Sequence, residues 1–181
     1  WRLGLLDPAR GTSEPVALDA LEVAEPMAEG TMVVLRTGYA DRPAAILALE
    51  TATGTVTLIR SAGRSPLGPA WIARAQPFAF TVGDGRPGHA FLYRPTNPDV
   101  AAPPGERPPV IVRSHGGPTG QARASLSLGW QYWTSRGFAV LDVTYRGRCG
   151  FGRAYRRALE GRGGVADVEA CVAARRALAA A

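Results

Sequence analysis

Two folds in succession are predicted from this 181-residue chain: an antiparallel β-meander over residues 1–74, then a sheet of alternating strands and helices over 75–181. Three observations carry that prediction. In the first part, short β-branched and apolar runs follow one another at hairpin spacing. In the second, a Pro-rich stretch, TNPDVAAPPGERPP (96–109), separates one strand pattern from the next. Beyond it, apolar strand patterns alternate with patterns of helical period.

The elements follow in order. WRLGLLD (1–7) alternates Trp1, Leu3 and Leu5, as a half-buried strand would. TMVVLR (31–36), AAILALE (44–50) and TVTLIRS (55–61) are three further strands, and Thr53-Gly54 supplies the positive φ of a tight hairpin. Units of this kind build sandwiches and also propeller blades. HAFLYRP (89–95) is the next strand. VIVRS (110–114) is a core strand, SLSLGWQYWTSRG (125–137) a helix ended by Gly137, and FAVLDVTY (138–145) a second core strand. Strand, helix and strand in that order predict a parallel sheet. The last helix, in residues 164–181, sets Val165, Val168, Cys171, Val172 and Leu178 at near-helical spacing. Asp167 and Glu169 lie early in it and Arg175 and Arg176 late, which suits the helix dipole.

Bulk properties exclude several classes. Apolar content of 46% excludes general disorder, and no apolar run is long enough to cross a bilayer. The net charge of +6 comes entirely from Arg, with Lys absent. Together with abundant Ala, Gly and Pro, this indicates a coding bias and not a nucleic-acid footprint. Six Arg residues between Arg146 and Arg162 interleave with aromatics, a pattern assigned here to a surface loop and a solvated helix face. Cys149 and Cys171 lack metal-type spacing, so no metal and no cofactor is expected. The two thiols fit a reducing cytosol, with Cys171 in a core, and the expected location is cytoplasmic. Trp130, Tyr132 and Trp133 are expected to pack, and His89 to be a packed or surface histidine. The N-terminus lacks Met and the C-terminal RRALAAA carries no stop signal, so the expectation is a piece of a longer chain.

The stretch VIVRSHGGPTG (110–120) carries the chemistry. A core strand ends in His115-Gly116-Gly117-Pro118. In open α/β sheets, ligands meet the carboxyl ends of strands. Consecutive glycines let a backbone come close to a ligand and leave amide N–H groups aimed at an anion. A glycine-rich loop at this place supplies one donor of an oxyanion hole in α/β-hydrolases.

That stretch, with QYWTSRGFAVLDVTYRGRCGFGRAYRRALEGR and GVADVEACVAARRAL, resembles the prolyl oligopeptidase family of serine peptidases. The likeness is to its dipeptidyl-aminopeptidase/acylaminoacyl-peptidase-like branch. HAFLYRPTNPD is similar to the entry strand of that family's hydrolase domain. The resemblance implies a partial α/β-hydrolase, the N-terminal half of the doubly wound sheet, over 75–181. It makes 1–74 the antiparallel end of a β-propeller. It also implies hydrolysis of short peptides by acyl transfer to a serine, within a Ser-Asp-His triad.

Carried over residue by residue, the resemblance implies that His115, Gly116 and Gly117 form the oxyanion loop, with the donor N–H at Gly116 or Gly117. His115 is then not the triad base. Pro118, Tyr145, Arg146 and Gly147 shape the site. Thr144, Arg148, Cys149, Phe151, Gly163 and Ala170 depart from the family's commonest residues, which bears on local loop geometry.

No G-x-S-x-G elbow occurs in the 181 residues, so no member of the triad is assigned. The chain alone is expected to be inactive and to lack a cooperative unfolding transition. The alternative is a non-catalytic α/β-hydrolase-like binding or scaffold protein. The expected partners are short peptide substrates, with neither nucleic acid nor membrane, and the sequence does not define an oligomeric state.

Overall fold

The computed structural model describes every residue except 1, 117–119, 121 and 149. It forms two compact units: Trp1–Pro69 with Ala124–Leu126, and Ala70–Arg123 with Ser127–Ala181.

In the first unit, β1 (Leu3–Asp7) and β2 (Thr12–Val16) pair as a hairpin. Four strands then form an antiparallel sheet in sequence order: β3 (Glu22–Glu29), β4 (Met32–Gly38), β5 (Ala45–Glu50) and β6 (Thr55–Ser61). Gly54 closes the β5–β6 turn with φ 72°, the left-handed backbone that the Thr-Gly pair predicts. Leu35, Tyr39, Ala45 and Leu47 make the core, with Leu3, Leu18, Ala20, Val23 and Val33 packed on it. Full burial of a leucine such as Leu35, 1% exposed, contributes about 1.5–3 kcal/mol. Ala124–Leu126 belong here because the Leu126 N–H donates to the Tyr39 carbonyl and the Ser125 hydroxyl to the buried Glu22 carboxylate.

Two expectations for this unit are corrected. β1 exists, but Leu5 and Leu6 are exposed and, of its leucines, only Leu3 reaches the core, because a two-stranded ribbon has no second layer to cover it; Trp1, the first residue of the expected alternation, lies outside the described residues. β2 and β3 were not foreseen, since TSEPV and EVAEPMAE carry proline and glutamate where strands prefer β-branched residues. β3 accommodates its proline through a register shift between Ala24 and Met27, with Glu25 at φ 54°.

The second unit contains β7 (Gln76–Thr81), β8 (Pro87–Tyr93), β9 (Val110–Ser114) and β10 (Ala139–Thr144), ordered β7-β8-β10-β9. The parallel relation expected for strand, helix and strand holds for β9 and β10, which flank helix α1 (Leu128–Thr134). The rest of the sheet is antiparallel, so the sheet is mixed and not parallel throughout. For β7 and β8 the reason is local: a tight turn at Gly85 joins them, and hairpin neighbours run in opposite directions.

β10 is buried at every position and separates two cores. Leu141 and Val143 meet Ala170 and Ala174 of helix α3 (Ala166–Ala180) on one face. Val140 meets Ala73, Tyr93 and Trp130 on the other. α3 turns its small residues inward: Ala166, Ala170 and Ala174 are buried, whereas Val165, Val168 and Val172 are exposed. The apolar stripe read from the sequence is thereby corrected to a neighbouring face, where alanines let the helix lie close to the sheet. Cys171 and Leu178 stay half-buried against the core. The acidic first turn is present, but α3 outruns Arg175 and Arg176, and its last turn carries no basic residue.

Helix α1 is shorter than the 125–137 expected, because residues 125–126 belong to the first unit. Gln131 clasps Ala73, accepting from its N–H at 2.7 Å and donating to its carbonyl at 3.1 Å. Of the three aromatics expected to pack, Trp130 lies against Tyr93 and Trp133 edge to face on Phe138. Tyr132 and Trp133 are exposed and meet edge to face. Among the described residues, no helix is long and apolar enough to cross a membrane.

Candidate functional site

The carboxyl ends of parallel β9 and β10 bring His115 and Tyr145 together. Their rings stack with centroids 4.2 Å apart and planes 11° from parallel. The Tyr145 hydroxyl lies 3.4 Å from the His115 carbonyl. Both side chains are buried. His115 Nδ1 lies 3.2 Å from the Gly116 carbonyl, an acceptor, so this nitrogen carries the proton. Nε2 is buried and has no hydrogen-bond partner among the described residues.

Burial pushes the His115 imidazole below its ordinary value of 6.5. The positive charges of Arg148 and Arg113 add to this, and the Gly116 carbonyl opposes it. The ring is therefore neutral at pH 7. Among the described residues, no carboxylate is hydrogen-bonded to the ring.

Gly116 and Gly120 differ in what they require. A Cβ on Gly116 would meet no atom within 4 Å, and its φ is not left-handed. Neither packing nor backbone strain demands glycine there. A Cβ on Gly120 would lie 2.4 Å from the Gly116 carbonyl oxygen and 2.7 Å from His115 Nδ1, so only glycine fits. The two ends of the 116–120 loop thus close on each other and on the histidine ring. Gly117 and Pro118, also assigned to this loop from the sequence, lie outside the described residues, as does Cys149.

The segment after β10 packs beside this loop. Arg148 is fully buried; its Nε–H donates to the Gly120 carbonyl at 2.5 Å and its Nη1 to the Thr144 hydroxyl at 3.2 Å. Tyr155, on the short helix α2 (Gly152–Arg157), donates its hydroxyl to the Thr144 carbonyl. Gly147 turns the chain at φ 117°, and its N–H donates to the Tyr155 carbonyl at 3.0 Å.

Arg146, assigned from the sequence to shaping the site, engages Asp84 in the β7–β8 turn at 2.5 Å. That hydrogen bond holds the Asp84 carboxyl below its usual range. Arg146 Nε and Nη2 have no hydrogen-bond partner among the described residues. His89 stacks on Phe151 at 4.1 Å, and burial lowers its pKa.

Asp142 is the one acidic side chain inside β10, 1% exposed. Burial raises its pKa, with Arg113 and Arg148 opposing. Arg113 Nη1 stands 3.9 Å from Asp142 Oδ1 and its guanidinium lies over the Trp130 ring at 4.5 Å. Sequence reading missed Asp142, although a lone acid within FAVLDVTY was a visible signal. Gly120 and Arg148 gave no such signal, because their roles depend on a contact between two loops.

Residues 124–181 match the sequence profile of the prolyl oligopeptidase family. Over 70 residues the chain is 36% identical to an acylamino-acid-releasing enzyme of Arabidopsis thaliana, covering 39% of this chain and 9% of that protein. Over 66 residues it is 39% identical to acylamino-acid-releasing enzyme 2 of Oryza sativa subsp. japonica, covering 36% of this chain and 8% of that one. Among solved structures, a Mycobacterium tuberculosis puromycin-hydrolyzing peptidase superposes with a TM-score of 0.91 at 40% identity, over 99% of this chain and 28% of that chain. The Pyrococcus horikoshii acylaminoacyl peptidase shares the fold, with a TM-score of 0.72 at 21% identity over 98% of this chain and 27% of that chain. The chain spans under a third of the length of these solved relatives and under a tenth of the curated ones.

Proposed function

We propose, from the premise that this chain belongs to the prolyl oligopeptidase family, that it supplies the oxyanion loop of a serine peptidase acting on short peptides. In this reading, residues 1–74 are the last part of a β-propeller. Residues 75–181 begin the α/β-hydrolase domain, and the triad belongs to sequence beyond these residues. The chain alone is inactive. Its place is the cytoplasm, where a half-buried thiol such as Cys171 stays reduced.

The observation that carries the reading is the position of Gly116. It follows β9 at the carboxyl end of the parallel pair, with open space where a side chain would be. A serine oxygen attacking a peptide carbonyl forms a C–O bond and moves the carbonyl electron pair onto oxygen. The Gly116 N–H, or that of Gly117, would donate to this oxyanion, an interaction typically worth ~3–4 kcal/mol in the transition state. The triad base, beyond these residues, would take the serine proton and return it to the departing amine as the intermediate collapses; water, giving a proton to the same base, would then release the acyl group, and that proton would return to the serine oxygen. His115 shapes the loop and transfers no proton.

The test begins with the coding sequence after Ala181, which should contain G-x-S-x-G followed by Asp and His. The full gene product should then cleave aminoacyl, dipeptidyl or N-acylaminoacyl anilides. Puromycin joins the panel because a structural neighbour is named for hydrolysing it. A folded protein inert towards the whole panel would contradict the proposal and favour a non-catalytic binding protein.

A further inference from the structure

Arg148 is the largest side chain with essentially no exposed surface among the described residues. A guanidinium is costly to remove from water unless its donors are met. Here its Nε–H meets the Gly120 carbonyl, and Nη1 meets the Thr144 hydroxyl at the end of β10. We propose that Arg148 is a positioning residue that fixes Gly120, and through it Gly116, relative to Thr144 at the end of β10. The proposal rests on the reading of this loop as the oxyanion loop.

The geometry gives the reason that such an anchor matters. Gly120 has no side chain and sits against the Gly116 carbonyl and the His115 ring, so a shift of Gly120 is passed to Gly116 without slack. The Gly116 carbonyl is also the acceptor of His115 Nδ1, and His115 is stacked on Tyr145. Arg148 therefore closes a ring of contacts that begins at the last residue of β10 and ends at the residue after it: Thr144, Arg148, Gly120, Gly116, His115 and Tyr145. The planar guanidinium sets two directions at once. A lysine, with a point charge, cannot reproduce them. The lowering of the His115 pKa by Arg148 agrees with their proximity.

The test is steady-state kinetics of the full-length peptidase carrying Arg148→Met or Arg148→Lys, together with hydrogen exchange of the Gly116 and Gly120 amides. Misplacing an oxyanion donor should lower kcat about 10–100-fold. KM should move less than about threefold, since ground-state binding is unchanged. Arg148→Lys keeps the charge and should fall between wild type and Arg148→Met. Exchange should quicken in the loop and not in β10. If Arg148→Met does not fold, Arg148→Lys decides. Wild-type kcat in a folded variant, or unchanged loop exchange, overturns the proposal. An inactive wild-type protein overturns the peptidase reading instead, and loop exchange then still decides the role of Arg148.

Discussion

The His115 ring lies flat on the Tyr145 ring at 4.2 Å, so the residue after β9 and the residue after β10 form one buried unit. The stack is carried by the Tyr145 ring. Its hydroxyl is 3.4 Å from the His115 carbonyl, a long hydrogen bond. Tyr145→Phe should therefore cost under about 1 kcal/mol. Tyr145→Ala, which removes a buried aromatic, should cost about 3–5 kcal/mol. Urea unfolding of the full-length protein measures both, and equal losses would show that the hydroxyl and not the ring matters.

His115 makes stability depend on pH in a defined direction. The unfolded chain takes up the proton near the ordinary value of 6.5, while burial holds the folded value lower. Native stability therefore falls as pH drops from 6.5 through the folded value, and levels off below it. His115→Phe keeps a ring on Tyr145 and has no proton to gain. The melting temperature of wild type relative to this variant should fall across that window. A constant difference from pH 7.5 to pH 5, two settings chosen as roughly a unit or more either side of the imidazole value, would exclude a buried neutral histidine.

Gly116 and Gly120 should respond in opposite ways to the same methyl group. Gly116→Ala has room and no backbone strain, so its stability should change by less than about 0.5 kcal/mol. Its kcat should nevertheless drop about tenfold or more, because the methyl occupies the approach to the donor N–H. Gly120→Ala would drive Cβ into the Gly116 carbonyl and His115, and should destabilise the protein as overpacking does, by about 1–3 kcal/mol. Thermal melts and turnover on both variants separate the roles. Full activity in Gly116→Ala would remove that residue from the proposed chemistry.

The pairing of Arg146 with Asp84 ties the segment after β10 to the β7–β8 turn. Arg146 is 3% exposed at the side chain and Asp84 37%. Asp84→Ala leaves a buried guanidinium unmatched and should cost about 2 kcal/mol, less than breaking a fully buried pair because Asp84 is partly solvated. The double variant with Arg146→Met should recover much of that loss. A double-mutant cycle measures the coupling, and strictly additive losses would mean that the pair is not coupled.

Legibility from sequence followed what each signal depends on. The strands VIVRS and FAVLDVTY were readable because their apolar runs carry the information locally, but only the second is a core strand: β10 is buried throughout, whereas β9, last in the β7-β8-β10-β9 order, has no fully buried residue. β2 and β3 were not, since their pairing comes from neighbouring strands and overrides unfavourable residues such as Pro15 and Pro26. The valines of α3 misled because a helix with both valines and alanines on it can bury either. Only the sheet decides, and it took Ala166, Ala170 and Ala174. In the site, the place of His115 at a strand end was legible, but its stacking on Tyr145 is a contact between residues 30 apart. Thr144 and Arg148 were noted only as departures from the family's commonest residues; in the structure they hydrogen-bond to each other.

The central claim is that this chain builds an oxyanion loop for a serine nucleophile carried elsewhere in the same protein. Labelling the full gene product with a fluorophosphonate tests it most directly, with peptide mapping of the adduct. The account predicts one labelled serine, within a G-x-S-x-G sequence after Ala181, and labelling that slows in Gly116→Ala. A folded full-length protein that takes no label, or takes it equally fast without Gly116, would contradict it.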